Sequence, residues 1–289
     1  MTDLIAVQGL EVVRRDFALR PFDLRLPAGY IMGLVGANGA GKTTLLKALL
    51  GLVPASAGRI AVLGRPVADP SARAAIGVVL DQTLFGETWL APEIGRAYAA
   101  GYPGFDLPGF MRRLDRLAVP LKTRFQRMSR GTKVKLQLAA AMSHGAKLLL
   151  LDEPTAGLDA ATRADLMSEL QDFIAGGDAS VLISTHITAD IEDIVDYLAY
   201  LNHGQLRFAG ERDEFLAAYR QVAGGSASLT PEVREAALGL SETAVGWTAV
   251  LPVDAAEALE GVTCAPVGLD ALMVALERGG QANENSVEN

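Results

Sequence analysis

Cysteine is all but missing from the 289-residue sequence, which contains Cys264 alone. One thiol excludes an internal disulfide and any cysteine-cluster metal site, and a lone cysteine in an apolar setting is expected as a small core residue. Also missing is any apolar run of about 18 residues, the length a membrane-spanning helix requires. The richest window, residues 136–151, is interrupted by Ser143, His144, Gly145 and Lys147. Met1-Thr2-Asp3 opens no basic and apolar leader, so the expectation is a soluble, cytoplasmic protein. A basic excess is lacking too. The net charge is −8, which argues against nucleic acid as the main partner, because phosphate-backbone binding needs a basic surface. No internal repeat is found. Half of the residues (50%) are hydrophobic, enough for a sizeable core and against global disorder.

The charge is unevenly spread. From Glu211 onward there are 13 Asp and Glu against 4 Arg, whereas the preceding residues are nearly balanced. This shift places a domain boundary near residue 210. Residues 1–210 are expected to form one domain with a helical subdomain over about 83–145, and residues 211–289 an acidic extension with a frayed tail.

What the sequence does contain is Gly36-Ala37-Asn38-Gly39-Ala40-Gly41-Lys42-Thr43-Thr44, a match to the phosphate-binding P-loop pattern G-x-x-x-x-G-K-[ST]. A buried strand is expected over residues 30–35 and a helix over 42–50, the context the motif requires. The glycines let the backbone wrap a polyphosphate with its N–H groups pointing inward and a helix N-terminus behind them. Lys42 would reach the β- and γ-phosphates, and the Thr43 hydroxyl would ligate magnesium.

Two alternating runs between residues 4 and 26 read as half-buried antiparallel strands. Short strands follow at 58–64 and 74–80, the second ending at Asp81-Gln82. Pro92, Pro103, Pro108 and Pro120 divide short helical patterns. Ser129 is a plausible cap for a helix with Val134, Leu136, Leu138, Ala139 and Met142 along its length. The run from Lys147 to Leu151 is a buried strand ending in Asp152-Glu153-Pro154. An amphipathic helix over 161–175 and a strand over 180–184 lead to Thr185-His186. Strands alternating with helices imply an α/β fold with a mainly parallel sheet covered on both faces. In such folds ligands sit at the carboxyl ends of the strands, so the P-loop, Asp81-Gln82, Asp152-Glu153 and His186 are expected on one rim. Beyond residue 210 the reading is an α+β extension, with helices over 212–219, 231–238 and 268–278 and a strand over 249–253.

The order of these features, with Ser129-Arg130-Gly131 and Ala156-Gly157-Leu158-Asp159 between them, resembles the ATP-binding subunit of ABC transporters over about the first 210 residues. The resemblance implies ATP and Mg2+ as ligands, Asp152 as a holder of the ion, Glu153 as the carboxylate that polarises the attacking water, and His186 as a contact of the γ-phosphate. It implies that Gln82, after its strand, senses magnesium and the lytic water, with Asp81 as the other candidate. Ser129 and Gly131 correspond to the family's signature and Asp159 to its D-loop aspartate. Each of Ser129 and Asp159 would also serve as a helix cap. Two copies would pair head-to-tail around two ATP molecules.

The chain departs from the family pattern in places. The signature reads Met128-Ser129-Arg130-Gly131-Thr132, and the position of the adenine-stacking aromatic falls on Arg14, with Phe17 nearby as the candidate. The Tyr30-Ile31-Met32-Gly33 strand, Asp81 and the Ser-Arg-Gly signature resemble ATPase subunits of type-two exporters. There the membrane part is a separate permease, and the ATPase lies at the inner face of the membrane. Phe85, Trp89 and Leu90 are candidates for contacting it, or ordinary subdomain core. The alternative is a soluble ABC ATPase acting on a cytoplasmic assembly such as the ribosome, although such relatives usually have two cassettes and basic arms. A P-loop kinase or GTPase would leave Ser129 without a task, and a purely regulatory nucleotide-binding module would not need Glu153 and His186.

Overall fold

The computed structural model describes residues 2–80 and 85–285. Asp81 and Gln82 lie outside the described residues. Contacts divide the chain into two compact units, Met1–His186 with Asp193–Ala209, and Ile187–Glu192 with Gly210–Asn289.

The first unit contains β1 (Asp3–Arg14), β2 (Phe17–Pro27), β3 (Ile31–Val35), α1 (Lys42–Leu49), β4 (Ala57–Val62), the short β5 (Arg65–Pro66), α2 (Pro70–Ala74) and β6 (Ile76–Val79). It continues through α3 (Ala91–Gly101), α4 (Leu107–Arg116), α5 (Arg130–Ala141), β7 (Leu148–Asp152), α6 (Ala160–Ile174), β8 (Ser180–Thr185), β9 (Tyr197–Asn202) and all but the last two residues of β10 (Gln205–Glu211). An antiparallel sheet of order β2-β1-β4-β5 faces a six-stranded sheet of order β10-β9-β3-β8-β7-β6. In the larger sheet β9, β3, β8, β7 and β6 run parallel. Their carboxyl ends therefore share one rim. Register sets Val35 beside Thr185, Asp152 beside Ser184, and Val79 beside Leu151.

Burial explains these strands. Leu148, Leu149, Leu150 and Leu151 are all 0% exposed, as a central parallel strand covered on both faces demands, and each such side chain is worth about 1.5–3 kcal/mol of burial. Leu45, Leu46 and Leu49 of α1 share a core with Ile5 and Leu24 of the antiparallel sheet and with Leu34 and Leu150 of the parallel one. The P-loop helix is thus clamped between two sheets.

Residues 83–145 were expected to be helical, and α3, α4 and α5 fall there. Pro92 and Pro108 stand in the first turns of α3 and α4, where a missing N–H is no loss. Phe110, Leu114, Phe125 and Leu136 build this subdomain's own core. Arg116 of α4 reaches the buried Glu169 of α6 at 2.5 Å, and Lys135 of α5 reaches Asp165 of α6 at 2.7 Å.

His144, just beyond α5, is buried against Tyr102 with ring centroids 4.5 Å apart, and its Nδ1 has no hydrogen-bond partner among the described residues. Burial holds its pKa below the ordinary 6.5. A folded pKa below the unfolded one means this stability is full above the unfolded value and is lost as pH falls toward the folded one. Thermal melts at falling pH are expected to show Tm dropping below pH 6.5, with the drop shallower in His144→Phe than in the parent.

The second unit holds a 3-10 turn (Thr188–Asp190), α7 (Arg212–Ala217), β11 (Tyr219–Gly224), α8 (Pro231–Ala236), β12 (Leu238–Thr243), β13 (Gly246–Pro252), α9 (Val253–Glu257), β14 (Val262–Pro266) and α10 (Leu269–Asn285). Its antiparallel sheet has the order β12-β13-β11-β14. Val222, Trp247, Ala249 and Leu251 of the sheet pack against Val233 of α8 and Ala256 of α9. The helical reading of 212–219 ends early, because Tyr219 begins a strand. Cys264 is exposed rather than in a core. The reason is that β14 is an edge strand, and Cys264 lies near its middle.

Candidate nucleotide site

The rim is built by four strand ends. β3 is wholly buried and delivers the chain into the loop at Gly36, where φ is +150°. A Cβ at Gly36 would stand 2.1 Å from the Leu201 carbonyl oxygen of β9, so only glycine lets the loop begin this close to the neighbouring strand. Gly41 caps α1 in a left-handed conformation without a side-chain bond. The first N–H groups of α1 have no intrahelical acceptor and point back toward the loop, where an anion can accept them.

Lys42 opens α1 and is buried at 6% exposure. Its Nζ donates to the Gly36 carbonyl at 2.6 Å and the Ala37 carbonyl at 3.2 Å, and lies 3.4 Å from Glu153 Oε1. Thr43 Oγ1 donates to Asp152 Oδ2 at 2.9 Å. The other oxygen of this buried carboxylate accepts from the Ser184 hydroxyl of β8.

Glu153, the next residue, has φ +49°, an uncommon left-handed backbone for a residue with a side chain. Its N–H donates to the Ser184 carbonyl at 3.0 Å. Glu153 Oε2 lies 2.8 Å from His186 Nδ1 and accepts from the His186 backbone N–H at 3.4 Å. Lys42, Glu153 and His186 thus form one contact chain, with Thr43 and Asp152 paired beside it. The strand ends anticipated this convergence, but the direct Lys42–Glu153–His186 chain has no sequence signal. An open cavity of about 540 Å³ adjoins the carboxylates, lined among others by Phe85, Arg130, Gln137, Asp152 and Glu153.

Ser129 and Gly131 belong to another cluster. Ser129 caps α5, its Oγ accepting from the Thr132 N–H at 3.2 Å. Asp159 caps α6, with Oδ1 accepting from the Thr162 N–H and Oδ2 from the Thr162 hydroxyl, both at 2.9 Å. Those Thr162 bonds, backbone first, hold the Asp159 carboxyl below its usual range. A Cβ on Gly131 would stand 2.9 Å from Thr162 Cγ2, so signature and D-loop segments meet at Thr162. Ser129 is exposed and, among the described residues, shares no hydrogen-bond partner with the Lys42 group.

Phe17 is half-buried. Its ring lies against Gly41, so that a Cβ there would be 2.7 Å from Phe17 Cζ. Arg14 is its partner across the β1–β2 ladder. Phe85 packs edge-on with Tyr98 and Phe125 in the subdomain core, whereas Trp89 is 42% exposed.

Among the described residues no group of three His, Cys, Asp or Glu could hold a metal ion unaided. The Thr43 hydroxyl and the Asp152 carboxylate are nonetheless hard oxygen donors side by side. They fit Mg2+, which takes one or two protein oxygens and completes its shell with water and phosphate.

The family description "ABC transporter" matches residues 19–156. Nod factor export ATP-binding protein I of Neorhizobium galegae is 32% identical over 214 residues, 71% of this chain and 61% of that protein. Daunorubicin resistance ATP-binding protein DrrA3 of Streptomyces coeruleorubidus is 32% identical over 298 aligned positions, 95% of this chain and 92% of that protein. A solved ATP-binding subunit of an ABC transporter superposes with a TM-score of 0.66 at 27% identity, covering 73% of this chain and 91% of its own. No helix among the described residues is long and apolar enough to cross a membrane. With the P-loop, the paired Thr43 and Asp152, and the parallel-sheet rim already in place, these likenesses mean that the chain belongs to the ATP-binding proteins of ABC transporters, an ATPase family.

Proposed function

We propose that the chain hydrolyses ATP in sites shared between two copies and drives export through a separate permease at the inner face of the membrane. The observation behind this reading is that, among the described residues, the Lys42 cluster and Ser129 share no hydrogen-bond or ion-pair partner. Lys42, Thr43, Asp152, Glu153 and His186 converge at the strand ends, while the exposed Ser129 and the half-buried Gly131 sit at another helix start. A second copy would supply the latter to the γ-phosphate, as the Ser129 hydroxyl and the N-terminus of α5 are suited to do.

The residues then have distinct tasks. The loop N–H groups and Lys42 bind the β- and γ-phosphates, and the incoming oxygens replace the Gly36 and Ala37 carbonyls and Glu153 as partners of Lys42. Glu153, so released, is free to accept a hydrogen bond from water and align it with the γ-phosphorus. His186 stays within reach of both Glu153 and the terminal phosphate. Water adds to phosphorus as the bond to the bridging oxygen of ADP breaks, and the proton leaves by way of Glu153. Thr43 and Asp152 would hold Mg2+, which when bound neutralises charge on the β- and γ-oxygens. Gln82 remains the proposed sensor beside the water, and Asn38, Gly39, Ala40 and Thr44 complete the phosphate cradle. Phe17, with Arg14 beside it, is the candidate wall for adenine.

Export is supported by the relative named for Nod factor export, which favours the transporter over the ribosomal reading. Shared sites are tested by complementation. Ser129→Arg and Glu153→Gln are each expected to be nearly inactive. Their mixture contains dimers in which one composite site is intact, so mixing is expected to restore turnover. Full activity in a monomeric Ser129→Arg variant would refute shared sites.

A further inference from the structure

Ser184 stands in the middle of the rim and has no task in the proposed cycle. It is in register with Asp152 of β7 on one side and with Leu34 of β3 on the other. Side chains two residues apart along a strand share a face. Leu150 and Leu182 belong to the core that contains Leu45, Leu46 and Leu49 of α1. Asp152 and Ser184, each two residues farther along, therefore face α1 too, where Thr43 stands.

Ser184 is 0% exposed, and a hydroxyl buried so deeply costs stability unless it is bonded. It donates to Asp152 Oδ1, while the Thr43 hydroxyl donates to Asp152 Oδ2 at 2.9 Å. One oxygen of the carboxylate is thus held by β8 and the other is turned toward α1. Without the first bond the carboxylate could rotate about its Cβ–Cγ axis and present either oxygen. The Ser184 carbonyl also accepts from the Glu153 N–H at 3.0 Å, so both carboxylates are tied to this one residue of the neighbouring strand. Outer bonds that orient a metal ligand are worth about ten- to a hundredfold in metal affinity.

We infer that Ser184 is a positioning residue for the divalent cation. It locks the Asp152 carboxylate with Oδ2 toward Thr43, so that Oδ2 and the Thr43 hydroxyl are offered to the ion as a preformed pair. The inference rests on the proposed roles of Thr43 and Asp152 as holders of Mg2+ and adds the residue that orients them.

Mn2+ is the probe, because its electron paramagnetic resonance signal falls on binding; it is titrated into the full chain held in excess over ADP. Ser184→Ala is expected to weaken Mn2+ binding about tenfold, while affinity for ADP in EDTA stays parental. The Mg2+ concentration that gives half-maximal ATP hydrolysis is expected to rise by the same factor. Ser184→Thr keeps the hydroxyl and is expected to bind Mn2+ as the parent does. Ser184→Val has the shape of threonine without the hydroxyl and is expected to match Ser184→Ala. Parental Mn2+ affinity in Ser184→Ala would overturn the inference, as would an equal loss of metal-free ADP binding, or a folded Ser184→Thr that binds no better than Ser184→Val. Alanine needs no extra room, so its variant decides even if threonine and valine do not fit. Parental Mn2+ affinity in Asp152→Ala would instead overturn the underlying metal site, so the two failures are distinguishable.

Discussion

Glu153→Gln is expected to lower ATP turnover by about a hundred- to ten-thousandfold, the usual worth of a positioned general base. The substitution keeps the shape of the side chain and an oxygen for the His186 contact but removes the charge that polarises water. ATP affinity should be retained or raised, because the neutral amide no longer competes for Lys42, which lies 3.4 Å from the carboxylate. An ATP-stabilised dimer should therefore accumulate, visible by size-exclusion chromatography with ATP. Undiminished phosphate release would sink Glu153 as the base. Loss of ATP binding together with turnover would show that its contact with Lys42 is needed to hold the loop.

The other large effect is structural in origin. Gly36→Ala is expected to cost about 4 kcal/mol or more, the range reached only when a mutation forces backbone apart or breaks a core. The new methyl would stand 2.1 Å from the Leu201 carbonyl oxygen, so β9 or the loop must move. Movement of the loop takes the Gly36 carbonyl away from Lys42 Nζ, which it accepts from at 2.6 Å, and nucleotide binding should fail with stability. Gly39 is the control. It has φ +83° and no atom within 4 Å of an added Cβ, so Gly39→Ala should cost only about 1–2 kcal/mol, the left-handed penalty. Chemical denaturation of both variants, beside an ATP titration, checks the pair. Equal losses would mean that backbone strain, not the Leu201 contact, governs this loop.

Much of the first unit was legible because buried parallel strands write themselves as apolar runs. Residues 148–151 are four leucines, and the strands at 31–35 and 180–185 are buried throughout. The strands over 148–152 and 180–185 end at Asp152 and Thr185, and the sheet order gathers these ends with the start of the P-loop at one rim. The capping roles of Ser129 and Asp159 were legible, since local side-chain bonds to backbone need only a few neighbouring residues.

The extension was harder to read for a physical reason. Four of the five residues of β14 are exposed, and β12 is at most half-buried, so neither strand shows the alternation that marks a half-buried sheet. The hydrogen bond from the Thr188 hydroxyl to Asp270 joins positions 82 residues apart. No local pattern reveals such a pairing. The contact between Lys42 and Glu153 is likewise a product of sheet order.

The left-handed backbone at Glu153 sets a limit on engineering this chain. A residue with a side chain held there costs roughly 1–2 kcal/mol relative to ordinary helical backbone, and glycine or asparagine would relieve it. Sequence optimisation guided by stability alone would thus replace the residue proposed to activate water, and gains in thermal robustness sought at this strand end come at the expense of turnover.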